Sequence, residues 1–167
     1  MIVYLHGFNS SPQSHKAQAL ARYLAARGLG AHYVCPALPV LAADAIAAVE
    51  ALMARHPGAQ FCFAGSSLGG YYATWLAEQH DARAVLLNPA IDPHVGLRAW
   101  EKLWVPRVTP ARYLLIVETG DEVLDYRRAL ERYAGAEQIV VQGGDHSLQS
   151  FERHLPRIVA FAGLAGA

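Results

Sequence analysis

The chain has 167 residues, enough for one domain with a sizeable apolar core, and 53% of its residues are hydrophobic. Its 14 lysines and arginines balance its 14 aspartates and glutamates, so we expect no basic surface for nucleic acid or for an anionic membrane. The first residues do not resemble a signal peptide, and no apolar run approaches the ~20 residues of a membrane span, which predicts a cytoplasmic protein.

Short apolar segments alternate with longer helical patterns along the chain. The segments are rich in Val, Ile, Leu, Phe and Tyr and scarcely alternate with polar residues, as in strands that are buried on both faces of a parallel sheet. We predict strands at residues 2–5, 31–35, 60–64, 84–87, 113–117 and 138–142.

Apolar residues recur at helical spacing between these strands. Asp44 and Asp125 are predicted N-caps, Gly28 ends the first helix, and Pro156 is expected to interrupt the last. Strands that alternate with helices over short connections predict an α/β fold: one doubly wound, mostly parallel sheet of about six strands between two helical layers, in a single domain over 1–167. The helices are predicted at 14–27, 44–55, 68–79, 125–133 and 147–161.

Residues 88–110 form the least regular stretch and contain several prolines together with Trp100 and Trp104. The stretch lies between two predicted strands and is longer than a plain crossover. Two interpretations stand side by side: a short cap over a binding site, or a surface excursion that the two tryptophans anchor.

The strongest motif is Gly65-x-Ser67-x-Gly69, between an apolar strand and an alanine-rich helix. In that context it is the pattern of a nucleophile elbow. The strand must turn sharply into the helix, which strains the backbone of Ser67 and requires small residues two positions to either side. The motif predicts a nucleophilic serine at the positive end of a helix. A glycine-serine turn without catalytic function is the alternative, and no phosphate-loop motif is present.

His6-Gly7-Phe8 follows the first strand and is similar to an oxyanion loop. A tetrahedral oxyanion needs two backbone N–H donors that are held in place beforehand. We predict that Phe8 and Leu68 supply them, and that His6 is structural. Ser10 is a candidate substrate contact, although a serine here also fits an ordinary loop.

The acid of a catalytic triad is expected just after the strand at 113–117. Asp121 matches that position best. Asp125 suits the N-cap of the next helix, and Glu118 and Glu122 are rival candidates for the acid.

His146 follows Gly143 and Gly144 after the last predicted strand, and flexible glycines would let this loop carry an imidazole to the serine. The chain order Ser67, Asp121, His146 is the order expected in α/β hydrolases. All three residues fall at carboxyl ends of strands, where open α/β sheets place their sites. The remaining histidines fit helices, strands or turns and are expected to be packed or solvated.

Several further residues carry weaker signals. Tyr71, Trp100 and Trp104 could line an apolar substrate pocket and equally suit the core. Cys35 and Cys62 lie in apolar segments, so we expect buried free thiols, with no disulfide and no metal site.

These motifs together resemble the YqiA-type esterases, small α/β hydrolases that lack the first two strands of the larger fold. The resemblance spans nearly the whole chain and is carried by residues 6–12, 65–76, 88–90 and 119–127. It implies a minimal α/β-hydrolase fold and hydrolysis of acyl esters or thioesters through Ser67, Asp121 and His146, without a cofactor. The segment after residue 90 is shorter than in that family.

The expected function is therefore that of a serine hydrolase that acts on a small-molecule acyl ester or thioester through an acyl-enzyme. A binding protein on the same fold is the alternative from a different class, since fold does not fix function. Hydrolysis of a peptide or carbon–carbon bond by the same triad also remains open. The sequence predicts neither the acyl chain nor the oligomeric state.

Overall fold

The computed structural model describes residues 1–92 and 107–164. Its strands form one sheet in the order β2-β1-β3-β4-β5-β6, and every neighbouring pair is parallel. The predicted α/β fold is confirmed, with a sheet that is wholly parallel. The strands are β1 Ile2–Leu5, β2 Tyr33–Val34, β3 Cys62–Ser66, β4 Arg83–Leu87, β5 Tyr113–Glu118 and β6 Glu137–Val141.

Helices cover both faces of the sheet, as predicted for a doubly wound, three-layer fold. Successive strand residues point to opposite faces, so Val3 packs in one apolar cluster and Tyr4 in the other. The first and last helices lie on the Tyr4 face, and the three middle helices lie on the Val3 face. The helices are α1 His15–Ala25, α2 Ala42–Ala54, α3 Leu68–Gln79, α4 Tyr126–Arg132 and α5 Leu155–Phe161.

The expectation that all strands are buried on both faces is wrong for the two edges of the sheet. β1, β3 and β5 are fully buried, whereas β2 is half-buried and β6 is partly exposed. β2 also pairs over two residues only, because Gly30–His32 forms a 3-10 turn before it. Each edge strand has a neighbour on one side alone.

Several boundaries differ from the predicted ones. β3 lies two residues further along than residues 60–64, so that it runs directly into the elbow. The prediction that Asp44 is the N-cap of α2 is wrong, because Leu41 holds that position. Asp44 lies in the first turn of the helix, where a negative charge is favourable. The Asp125 cap is correct, since its Oδ1 accepts a hydrogen bond from the Arg127 amide.

The predicted helix at 147–161 begins too early. Residues 146–147 and 149–150 form turns, Phe151–His154 is a 3-10 helix, and α5 begins at Leu155. The amides of Gln149 and Ser150 donate to the Glu118 side chain instead of to a helix. Pro156 lies in the first turn of α5, where its missing N–H costs little, so it does not interrupt the helix.

The strand order places a crevice at the carboxyl ends of β1 and β3. The chain proceeds from β1 to β2 in one direction and then returns to β3 on the other side of β1. Open α/β sheets bind ligands at such a switch point. The described helices include none that is long and apolar enough to cross a membrane. Most of the predicted cap at 88–110 lies outside the described residues, as do Trp100 and Trp104.

Both cysteines are free thiols. Cys62 is buried as expected, and burial raises its pKa to about 12. Cys35 is only half-buried, which differs from the expectation, because it follows the edge strand β2.

Candidate active site

Ser67 stands between β3 and α3 in a backbone conformation that non-glycine residues rarely adopt, with φ 53° and ψ −117°. Neighbouring backbone fixes the strained turn. The Ser67 amide donates to Leu87 O at 3.1 Å, and Ser67 O accepts from the amides of Gly70 at 2.9 Å and Ala90 at 3.0 Å. The predicted elbow geometry is present, and it presents the hydroxyl at the first turn of α3.

The two elbow glycines allow backbone segments to approach closely. A Cβ at Gly65 would lie 2.1 Å from Gly69 O, and a Cβ at Gly69 would lie 1.9 Å from Leu5 O. Any side chain at either position would therefore push α3 away from β3 or β1. Gly65 and Gly69 thus carry the structural function that the motif predicted.

The structure brings Ser67, His146 and Asp121 together. His146 Nε2 lies 3.1 Å from Ser67 Oγ, and its Nδ1 lies 2.8 Å from Asp121 Oδ2 and 3.0 Å from Oδ1. The Asp121 side chain is 1% exposed and the His146 side chain 25%. A carboxylate next to Nδ1 favours the tautomer whose Nε2 is free to accept a proton from the serine.

Asp121 is itself held in place by the turn that follows it. Its Oδ1 accepts hydrogen bonds from the amides of Val123 and Leu124, both at 2.9 Å. The three rival acids lie elsewhere. Asp125 caps α4, Glu122 accepts from the His146 amide at 3.2 Å, and Glu118 is buried beneath the loop.

The loop after β1 lies against the elbow. A Cβ at Gly7 would lie 3.4 Å from the Ser67 Cβ and 3.9 Å from its Oγ. Among the described residues, no acceptor is bonded to the amide of Phe8 or of Leu68. Phe8 and Leu68 both line cavities that include Ser67, and their function as oxyanion donors stays a prediction.

His6 has a structural position, as expected. The side chain is buried, and its Nε2 accepts a hydrogen bond from the Leu38 amide at 3.1 Å. Its Nδ1 therefore carries the proton and donates to Gly7 O at 3.0 Å. His6 thus connects the segment after β2 to the loop beside Ser67.

Sequence reasoning missed the function of Glu118, the last residue of β5. Its carboxylate is 0% exposed. Oε2 accepts from the amides of Asp145 at 2.8 Å and Gln149 at 3.0 Å, and Oε1 accepts from the Ser150 amide at 2.7 Å. No motif could reveal this, because the donors are backbone amides about thirty residues away along the chain.

Burial alone would raise the pKa of Glu118. Hydrogen bonds from Ser150 and from the amides of Asp145 and Gln149 outweigh that effect and hold its pKa below the usual value. The group is therefore a carboxylate at neutral pH, although it lies out of water.

Asn88 was also missed, although it begins one of the segments that carry the family resemblance. Its φ of 41° is unusual, and asparagine tolerates this region better than most residues. Oδ1 accepts from the Glu118 amide at 2.9 Å, and Nδ2 donates to Asp145 O at 3.0 Å. Asn88 therefore connects β4, β5 and the loop that carries His146.

Two cavities meet at Ser67. The larger, of about 460 Å³, has a mixed lining of apolar surface and polar side chains, and it includes His146. The smaller, of about 310 Å³, is mostly apolar. The larger cavity includes Ser10, Ser14, Lys16 and Gln149, and the smaller includes Phe8, Leu68, Pro89, Ala90, Ile91 and Leu124.

The candidate substrate contacts divide accordingly. Ser10 lines the larger cavity, and its contact with a substrate stays a prediction. Tyr71 is half-buried and packs against the apolar cluster on the α3 face, and it does not line either cavity at Ser67. Within residues 1–92 and 107–164, no three His, Cys, Asp or Glu side chains are arranged to hold a metal ion.

Comparison with known proteins agrees with this architecture. The profile of a family described as "Uncharacterised protein family (UPF0227)" matches residues 1–103 and 104–163. A UPF0227 protein of Citrobacter koseri is 26% identical over 176 residues, which covers 96% of this chain and 98% of that protein.

Solved structures show the same fold at lower identity. Alpha/beta hydrolase domain-containing protein 10 from mouse superposes with a TM-score of 0.75 at 14% identity, covering 98% of this chain and 88% of that one. A lidless α/β serine hydrolase from Xanthomonas campestris superposes with a TM-score of 0.65 at 18% identity, covering 95% and 81%. The chain thus has the α/β-hydrolase fold.

Proposed function

The chain belongs to the UPF0227 family, and from that premise and the geometry around Ser67 we propose that it is a serine hydrolase that cleaves acyl esters or thioesters. The observation that carries the proposal is the continuous contact from Ser67 Oγ through the His146 imidazole to Asp121, with distances of 3.1 Å and 2.8 Å. These distances lie within the range that proton transfer requires.

The first half-reaction forms an acyl-enzyme. His146 Nε2 takes the Ser67 proton while Oγ attacks the acyl carbonyl, and Asp121 stabilises the imidazolium that forms. The amides of Phe8 and Leu68 donate to the oxyanion. Removing one such donor in another hydrolase lowers kcat by about 10²–10³. The second half-reaction uses water, with His146 again as the base.

The leaving group fits the larger cavity. The imidazolium must protonate the departing alcohol or thiol, so the leaving group has to lie on the His146 side of Ser67. Only the larger of the two cavities includes His146 among its described lining residues. We assign the leaving group to this cavity, next to Ser10 and Gln149.

The acyl group fits the smaller cavity on the other side of the serine. Leu68, Ile91 and Leu124 give this cavity an apolar wall. Each CH₂ group buried there contributes about 0.8 kcal/mol, so kcat/KM should rise with acyl length until the cavity of about 310 Å³ is filled. A similar α/β serine hydrolase from Xanthomonas campestris is described as lidless, which supports activity on this fold without a large cap.

Turnover of 4-nitrophenyl esters and matching thioesters of graded acyl length tests the proposal. The purified protein should hydrolyse them, and Ser67→Ala should lower kcat by on the order of 10⁴–10⁶. Thr109→Ala, which removes a hydroxyl bonded to Glu78 and not lining either cavity at Ser67, is the control and should keep the wild-type rate. Turnover that survives in Ser67→Ala would defeat the proposal, and binding without any turnover would favour a ligand-binding protein.

A further inference from the structure

The loop at 142–150, which carries His146, has few apolar contacts to fix it. Leu148 is the one apolar side chain that this segment buries. Gly143 and Gly144 both have positive φ, at 76° and 71°. Residues 142–150 contain no helix or strand. The position of the imidazole must therefore come mainly from hydrogen bonds.

Glu118 supplies the largest share of those bonds. Three amides on both sides of His146 converge on its two carboxylate oxygens, at 2.7–3.0 Å. The Asn88 side chain fixes the other side of the same loop through Asp145 O. Glu118 does not line either cavity at Ser67 among the described residues.

We propose that Glu118 is a positioning residue, whose buried carboxylate holds the 145–150 loop so that His146 Nε2 meets Ser67 Oγ. This inference rests on the proposed serine hydrolase activity. A carboxylate suits the task because both of its oxygens accept hydrogen bonds, and charge-assisted bonds to amides are stronger than neutral ones. Glutamine would place an NH₂ group against one of the converging N–H groups.

The first test replaces the carboxylate by its amide. Glu118→Gln should lower kcat by on the order of 10–100-fold, because a shift of about 1 Å in a catalytic group can cost about 10²-fold. KM should stay within about twofold, since Glu118 does not line the cavities. The control is Glu137→Gln, which removes a carboxylate on β6 that pairs with Arg157 of α5. It should leave both kcat and KM unchanged.

The second test perturbs the same contact from the loop side. A Cβ at Gly144 would lie 1.9 Å from Glu118 Oε2, whereas a Cβ at Gly143 would meet nothing within 4 Å. Both glycines have positive φ, so alanine is strained equally at both. Gly144→Ala should therefore lose far more kcat than Gly143→Ala, and this pair decides the matter if Glu118→Gln does not fold.

Hydrogen–deuterium exchange separates this inference from the proposed activity. The backbone amides of residues 145–150 should exchange faster in Glu118→Gln than in the wild type, and at the wild-type rate in Glu137→Gln. This measurement needs no substrate. The assignment is overturned if folded Glu118→Gln keeps the wild-type kcat or changes KM alone. It is also overturned if the two glycine variants lose equal activity, or if amide exchange in Glu118→Gln is unchanged. Loss of the Ser67→Ala effect would instead defeat the hydrolase proposal.

Discussion

The serine elbow and the histidine loop reach the same point in different ways. The elbow is backbone packed on backbone: Gly65 and Gly69 bring α3 against β1 and β3, where no side chain would fit. The histidine loop is held by polar side chains, chiefly Glu118 and Asn88. The serine is thus fixed by the rigid core, and the histidine by a small set of buried hydrogen bonds.

The difference teaches where each half is vulnerable. Close packing fails when volume is added, because the interior cannot yield. A buried hydrogen-bond network fails when one partner is removed, because the remaining groups lose their bonds without regaining water. Substitutions and pH can therefore disturb one half at a time.

Among residues that support the serine, we expect the largest loss of kcat from replacing the acid of the histidine half. Asp121→Asn keeps an oxygen for the amides of Val123 and Leu124 but can place its NH₂ group at the imidazole and favour the wrong tautomer. We expect kcat to fall about 10⁴-fold, as in triads generally, with the fold intact. Steady-state kinetics check this, with Asp44→Asn in α2 as the control. A loss below about tenfold would mean that Asp121 does not orient His146.

The next effect breaks the serine half. Gly69→Ala forces a Cβ to within 1.9 Å of the Leu5 carbonyl oxygen. Because backbone cannot move aside easily, the free energy of unfolding should fall by about 3 kcal/mol, the upper end of typical overpacking costs. Gly30→Ala, whose Cβ would meet only Ala25 at 3.7 Å, should change it by less than about 0.5 kcal/mol. Urea unfolding measures both, and equal stabilities would contradict the packing account.

The smallest effect is a pH dependence that belongs to Glu118. Its folded pKa lies below its usual value, which is about 4.3 when unfolded. The carboxylate therefore stabilises the fold above about pH 4.3, and this stabilisation is lost as pH falls through the lower folded pKa. The stability difference between wild type and Glu118→Gln should shrink as pH falls from about 6 toward 3. A constant difference would argue against an ionised Glu118.

Much of the elbow half could be predicted from the sequence. Apolar runs indicated the strands of the sheet, and the bounds of α3 at Leu68 and Gln79 were predicted as observed. β3 was placed two residues early, because Gly65 and Ser66 have weak strand preferences, whereas the structure pairs them with Leu86 and Leu87 of β4.

The histidine half was predictable only at its reacting residues. Asp121 and His146 follow strand ends and were chosen from position, but Glu118 was considered only as a rival acid. Its function depends on which amides converge on it in space, and no local pattern records that. The same convergence explains why the last helix begins at Leu155 and not at residue 147.

Labelling with a fluorophosphonate probe tests the meeting of the two halves most directly. Intact-protein mass spectrometry should show one phosphonyl group on the wild-type chain and none on Ser67→Ala. His146→Ala should react at least about 100-fold more slowly, since general-base catalysis is typically worth 10²–10⁴. Equal labelling of the wild type and Ser67→Ala, or no labelling of a folded wild-type chain, would contradict an activated Ser67.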